Sequence, residues 1–272
     1  MIGIVIPSRK GERLLEQTIE EIRRTITSPY RIYIVSDYIP HIRGRDIVNV
    51  IGNYRLGEAK NAGAKMALVH GAQYLYFIDA HMEFPDKGWD KVLISFLNSH
   101  KRSIISPKVY VVGNPKQTVF SFVWFPPDFT YRARPYPETT MEVPSLCGCS
   151  QFMSRKAFED SGFGYTPFFG IDDYEFSLRM WRFGYSIYSI GEARIGHEED
   201  RKRRGSVVTG TDVNERKASY VMFTRLHYPQ IHIDTSFEIE RMIAPYMPQY
   251  KRVIEKKAYR SVEDFHRRWM YW

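Results

Sequence analysis

The chain has 272 residues, 43% of them hydrophobic and 15% aromatic, which excludes a disordered chain and suits one large α/β domain with at most a short appendage. A formal net charge of +8 favours anionic partners such as nucleotide diphosphates, nucleic acid or an anionic membrane face, and does not choose among them. The two cysteines, Cys147 and Cys149, are too close in sequence for an ordinary unstrained disulfide, which argues against a stapled secreted fold.

Ile2–Ile6 is an apolar run ended by Pro7, and it lacks the charged n-region of a signal peptide. It reads as the first core strand. Gly11–Thr25 has helical spacing through Leu14, Leu15, Ile19 and Ile22. Arg31–Ser36 reads as a second strand closing on Asp37, and Ile47–Ile51 as a third. Glu58–His70 is helical, Gln73–Asp79 is a strongly apolar fourth strand, and Trp89–Asn98 is a helix. Ser103–Val143, rich in Pro, Tyr and Phe, reads as strands and long loops crossing the sheet edge. Asp172–Phe183 is a helix with Phe176, Met180 and Phe183 on one face, and Tyr185–Ile190 is a short strand. From about Asp212 the pattern is helical to the end. Alternating strands and helices predict an α/β fold with a mostly parallel sheet. Ligands of such sheets bind beyond the carboxyl ends of the strands, where Ser8, Asp37 and Asp79 with His81 fall.

Three segments carry chemistry. An apolar strand runs straight into Asp79-Ala80-His81. Residues two apart on extended backbone point the same way, so the carboxylate and imidazole can share one divalent ion, with small Ala80 allowing close approach. The alternative is two solvated side chains at a strand end. His197, after Ile195-Gly196 and just past the strand Tyr185–Ile190, is a third ligand or an ordinary loop histidine. Asp172-Asp173-Tyr174-Glu175 has the form of a capping box with Asp172 as the cap, which leaves Asp173 as a candidate base or anchor for an acceptor hydroxyl.

With these motifs the chain resembles the GT-A glycosyltransferases of family 2, and is similar to the polypeptide N-acetylgalactosaminyltransferases. Their metal motif is Asp-x-His with a later His, matched by Asp79-Ala80-His81 and Gly196-His197. Phe169-Gly170-Ile171-Asp172-Asp173-Tyr174-Glu175, continuing through Ser177, Arg179, Trp181 and Gly184, resembles their Trp-Gly-Gly-Glu-Asn-x-Glu segment. Asp37 matches the aspartate that binds the base. Gly57-Glu58-Ala59-Lys60-Asn61-Ala62-Gly63 resembles the Gly-x-Ala-Arg-Asn-x-Gly element of the nucleotide pocket, and Cys147-Gly148-Cys149 falls where relatives have small residues under the donor sugar. The match covers roughly residues 2–200. Asp173 stands where retaining relatives carry Asn, which restores the acidic pair of inverting enzymes. The lectin domain and disulfides of the animal enzymes are not matched, so the acceptor does not carry over.

The resemblance implies a GT-A catalytic domain over residues 1–210 and a helical extension over 211–272. It implies Mn²⁺ or Mg²⁺ on Asp79, His81 and His197, and a nucleotide-sugar, with UDP expected, near Pro7, Ser8, Asp37, Gly57, Lys60, Asn61, Asp79, Ala80 and Gly148. Asp173, with Asp172, is the catalytic expectation, with inversion favoured over a retaining N-acetylgalactosaminyltransferase-like reaction. The acceptor is a sugar, a lipid-linked molecule or a protein. No window reaches the ~18 apolar residues of a membrane span. The expected location is cytoplasmic. The C-terminal Lys251–Trp272, with seven Lys/Arg against three acids, either lies on an anionic membrane or packs on the domain. Arg201–Arg204 reads as a mobile lid or a solvated run. A basic nucleic-acid-binding protein is the rival from another class. It gives no account of the Asp-Ala-His strand end, and nucleic acid is not an expected partner.

Overall fold

A computed structural model describes residues 1–125, 130–200, 202 and 213–270. Its centre is β1 (Ile2–Ser8), flanked by β2 (Tyr30–Ser36) and β4 (Tyr74–Ile78), both parallel to it, with β3 (Ile47–Ile51) outside β2. Beyond β4 the antiparallel β11 (Ser150–Ser154) is inserted. The parallel pair β6 (Ser103–Val111) and β12 (Ser186–His197) follows. The short β5 (Met82–Glu83) and β10 (Met141–Glu142) pair with β12, and β7 (Asn114–Thr118) pairs with β6. A separate two-stranded ribbon, β8 (Phe120–Phe125) with β9 (Thr130–Pro135), comes from the stretch expected to cross the sheet edge.

β1 and β4 are near-continuous apolar runs because both faces of the sheet are covered there. Ile4, Ile6, Tyr76, Ile78 and Phe152 point to one face, under α1 (Leu15–Thr25) and α3 (Trp89–Ser99). The alternate residues Val5, Leu75, Phe77 and Met153 point to the other. There they meet α2 (Leu56–Val69), α4 (Arg155–Asp160) and α5 (Asp172–Arg182), with α6 (Val213–His227), α7 (Phe237–Ile243), α8 (Met247–Lys257) and α9 (Val262–Trp269). The C-terminal region is broken into helices by caps. Ser236 and Ser261 accept the amides of Ile239 and Asp264 through their hydroxyls. No helix among the described residues is long and apolar enough to cross a membrane.

Three local expectations are corrected. The first helix starts at Leu15 rather than Gly11, whose φ of 96° belongs to a turn. The strand expected to stop at Ile190 runs on to His197. Its register on β6 jumps from Ile190 opposite Pro107 to Arg194 opposite Lys108, so Gly191, Glu192 and Ala193 form an irregularity that masks the strand pattern. Asp172 is not a cap: Ile171 holds that position with no side-chain bond, and Asp172 is the first helical residue.

Candidate active site

The carboxyl ends of β1, β2 and β4 lie side by side, with Ser8 beside Ser36 in register. Ser8 Oγ is 3.0 Å from Tyr38 Oη, and Ser36 donates to the Tyr38 carbonyl at 2.7 Å. Exposed Asp37 sits between them, and Pro7 lies within β1. These residues form one polar rim at the strand ends.

β4 leads directly to the metal-ligand candidates. After Ile78 the chain bends instead of staying extended. Buried Thr18 of α1 fixes the bend, its hydroxyl contacting the carbonyls of Ala80 and Met82 at 3.1 Å and accepting the Met82 amide at 2.9 Å. The extension of β12 brings His197 opposite Met82, next to His81. One ligand atom from each of Asp79, His81 and His197 lies within 4.8 Å of the others. Nε2 of His197 is 3.2 Å and Nε2 of His81 is 3.7 Å from Asp79 Oδ2. The opposite ring nitrogens are occupied: His81 Nδ1 meets Glu12 Oε1 at 3.2 Å, and His197 Nδ1 meets Glu199 Oε1 at 2.8 Å.

Such outer carboxylates fix the tautomer that presents Nε2 as a ligand. One carboxylate and two imidazoles suit a borderline divalent ion, so the residues present fit the expected metal. Burial alone would raise the Asp79 carboxyl. The hydrogen bond from His197 and the positive charges of His81, His197 and Lys60 hold it far below the usual range instead. Burial disfavours the His197 imidazolium, yet its bonds to Asp79 and Glu199 raise it to about 10. The cluster therefore attracts positive charge strongly.

The acidic pair sits at the start of α5. Asp172 and Lys60 form a buried ion pair at 2.8 Å, with the ammonium 4.5 Å from the Tyr165 ring centroid. Burial alone would lower Lys60, but Asp172, then Asp173 and Asp79, raise it, so this one cation joins the acidic pair to the metal cluster electrostatically. Asp173 is half-buried and accepts the amides of Gly148 at 2.9 Å and Tyr174 at 2.8 Å. Burial and the Asp172 charge push its carboxyl up to about 7, outweighing Lys60 and the two amides. Beside it the rings of Trp124 and Tyr220 stand 5.8 Å apart, and those of Trp124 and Tyr131 5.0 Å apart. Tyr220 feels the Asp173 charge, and Trp124 Nε1 is buried with no partner among the described residues.

Several residues expected near the nucleotide have partners within the protein. Gly57 faces protein: a Cβ there would lie 1.7 Å from the Thr166 carbonyl oxygen. Asn61 gives both amide atoms to the backbone of Tyr165, at 2.9 and 2.8 Å. Lys60 is held by Asp172, and the Gly148 amide by Asp173. Gly57, Lys60 and Asn61 thus anchor the segment leading into α5. Sequence reading missed Glu12, Thr18, Glu199 and the aromatic group at Trp124, Tyr131 and Tyr220. A His-x-Glu spacing could have signalled Glu199, whereas Glu12 lies 69 residues from its histidine. Of the expected lid, only Lys202 is among the described residues. Its carbonyl accepts from Arg13 at 3.2 Å.

A sequence model of glycosyl transferase family 2 matches residues 3–162. Polypeptide N-acetylgalactosaminyltransferase 8 of Drosophila melanogaster is 26% identical over 184 residues, covering 61% of this chain and 29% of its own length. Human polypeptide N-acetylgalactosaminyltransferase 9 is 24% identical over 176 residues, covering 58% and 28%. The chain thus spans under a third of these relatives. The crystal structure of GalNAc-T7 with UDP, GalNAc and Mn²⁺ superimposes with a TM-score of 0.74 at 17% identity, covering all of this chain and 57% of that one. TarS 1–349 of S. aureus in complex with UDP-GlcNAc gives 0.56 at 11% identity, covering 92% and 72%. At such identities the likeness is one of fold, and that fold is GT-A.

Proposed function

Since the chain belongs to glycosyl transferase family 2, we propose that it moves a sugar from a nucleotide-diphosphate donor, a UDP-sugar, to an acceptor hydroxyl with the help of a divalent metal. The observation that carries this reading is the convergence of Asp79, His81 and His197, with both outward ring nitrogens held by carboxylates. Asp79, His81 and His197 would hold Mn²⁺ or Mg²⁺. When bound, such an ion supplies positive charge for a departing diphosphate.

The rim of Ser8, Asp37 and Tyr38 would receive the nucleoside. Asp173 would take the proton from the acceptor hydroxyl, which supports inversion. A carboxylate near neutrality is both ionised and basic enough to act at neutral pH. The Lys60–Asp172 pair would act through Asp173, keeping a fixed negative neighbour beside it. The aromatic group at Trp124, Tyr131 and Tyr220 would line the acceptor side. The motif resemblance also admits retention, in which Asp173 would only position groups. The anomeric configuration of the product decides between the two.

The metal half of this reading is tested by calorimetry of UDP binding in Mn²⁺ and in EDTA. Tighter binding with Mn²⁺ is expected, and His81→Ala should abolish the difference. Equal affinity in both buffers for the unaltered protein would overturn the site.

A further inference from the structure

Cys147 and Cys149 have no role in the reaction proposed above, yet their turn touches both halves of the site. The Asp79 amide donates to the Cys149 carbonyl at 3.3 Å, and the intervening Gly148 amide donates to Asp173 at 2.9 Å. The turn is closed by Ser150 N–H on the Cys147 carbonyl at 3.2 Å, and the Cys147 amide is bound by Tyr136 Oη at 2.7 Å. The two cysteines share no disulfide, and the Cys149 thiol donates to Cys147 Sγ at 3.3 Å. Cys147 is half-buried and Cys149 is 4% exposed.

We propose that Cys147 and Cys149 form a reversible dithiol–disulfide couple whose oxidation detaches Gly148 from Asp173 and switches the transfer site off. The effect on transfer rests on the function proposed above; the thiol chemistry does not. The oxidant is a low-molecular-weight disulfide, RSSR. Cys147, the more exposed thiol, loses its proton and attacks one sulfur of RSSR. The S–S bond breaks, and the leaving RS⁻ takes up a proton as RSH. Cys149 then attacks Cys147 Sγ, the mixed disulfide breaks, and the second RSH leaves with the proton of Cys149. Two protein thiols are oxidised and one RSSR is reduced to two RSH.

Closure must bring the sulfurs from 3.3 Å to about 2.05 Å across a single intervening residue. That residue is Gly148, with no side chain and with its amide held by Asp173, and in the proposed closure its amide plane turns away from that carboxylate. A bridge across so short a span is strained, and strained bridges are the readily reduced ones, which makes the closure reversible.

The chain has two cysteines, so thiol counting is unambiguous. The full chain is treated with excess glutathione disulfide and followed by intact mass, thiol titration and hydrogen exchange. Loss of both thiols is expected, with a mass lower by two hydrogens and no retained adduct. Cys149→Ser should stop at a glutathione adduct on Cys147, and Cys147→Ser should be inert because Cys149 is buried. Protection of the Gly148 amide should be lost on oxidation and restored by dithiothreitol. Thiols that persist in the folded chain, or an adduct on the unaltered chain like that on Cys149→Ser, would overturn the couple. A bridge that forms while Gly148 stays protected would overturn the switch. None of these readouts needs turnover, so failure here is distinct from failure of the metal-and-nucleotide test.

Discussion

Asp172 and Asp173 are neighbours in sequence with opposite surroundings. The first is ion-paired with Lys60; the second accepts two amides, and its burial beside the Asp172 charge outweighs the more distant pull of Lys60. Asp173→Asn keeps the shape and removes the base, so transfer should fall about 10²–10⁴-fold in single-turnover assays. Wild-type rate should rise with pH towards about 7 and then level off, because the base acts only when ionised. Stability should run the other way. A carboxyl raised in the folded state favours the protonated form, so its contribution is full below the unfolded value of 3.8 and is lost as pH rises through about 7. Asparagine has no such loss. The variant should therefore melt above wild type at pH 8 and level with it near pH 4, and equal melting at both pH values would contradict the assigned burial. A further expectation concerns Glu199, which meets the metal cluster at His197 Nδ1. Glu199→Ala should weaken Mn²⁺ binding about 10–100-fold, with little change in melting, in a titration of the metal alone.

At the scale of elements, what could be read depended on whether the partner is local. β1 and β4 were legible because strands buried on both faces are continuous apolar runs, and β4 delivers Asp79 and His81 directly. The second half of β12 was not, since the irregularity at Gly191–Ala193 interrupts the pattern, and with it went the reason His197 reaches His81. Asp172 and Glu175 have capping-box spacing, but Lys60 for Asp172 and His227 for Glu175 come from distant segments, and only Arg179, one turn on in the same helix, is local. The glycine and asparagine of α2 also hold a segment far along the chain, which their spacing does not display. The segment they hold lies 104 residues on for Asn61. Gly57→Ala tests this directly. Its methyl group would meet a backbone carbonyl, which cannot rotate away, so a loss of about 1–3 kcal/mol is expected in denaturant unfolding. Unchanged stability would show that the close approach of α2 to residues 166–167 is not real.

At the scale of the whole molecule, the C-terminal helices and the sheet share one core. Phe265 of α9 is fully buried, its ring 5.2 Å from Trp181 and 6.3 Å from Tyr174, the residue after Asp173. Nearby, His227 of α6 reaches buried Glu175 at 3.0 Å, and Arg182 donates to the Arg260 carbonyl at 3.3 Å. The face of α5 away from the sheet is therefore completed by residues 213–270, and the same helix presents the acidic pair. If this region were an independent appendage, damage to its core would melt it alone and leave the sheet intact. A shared core predicts one transition. Phe265→Ala removes a large ring from a site enclosed on all sides and should cost about 3–5 kcal/mol. Denaturant unfolding followed by circular dichroism and by hydrogen exchange of the β4 amides should shift together, keeping one midpoint. The Gly148 amide, held by Asp173 at the start of α5, should lose protection over the same range. Two separated transitions, with β4 unfolding as in the unaltered chain, would show that the helices are an appendage and that α5 is held by the sheet alone.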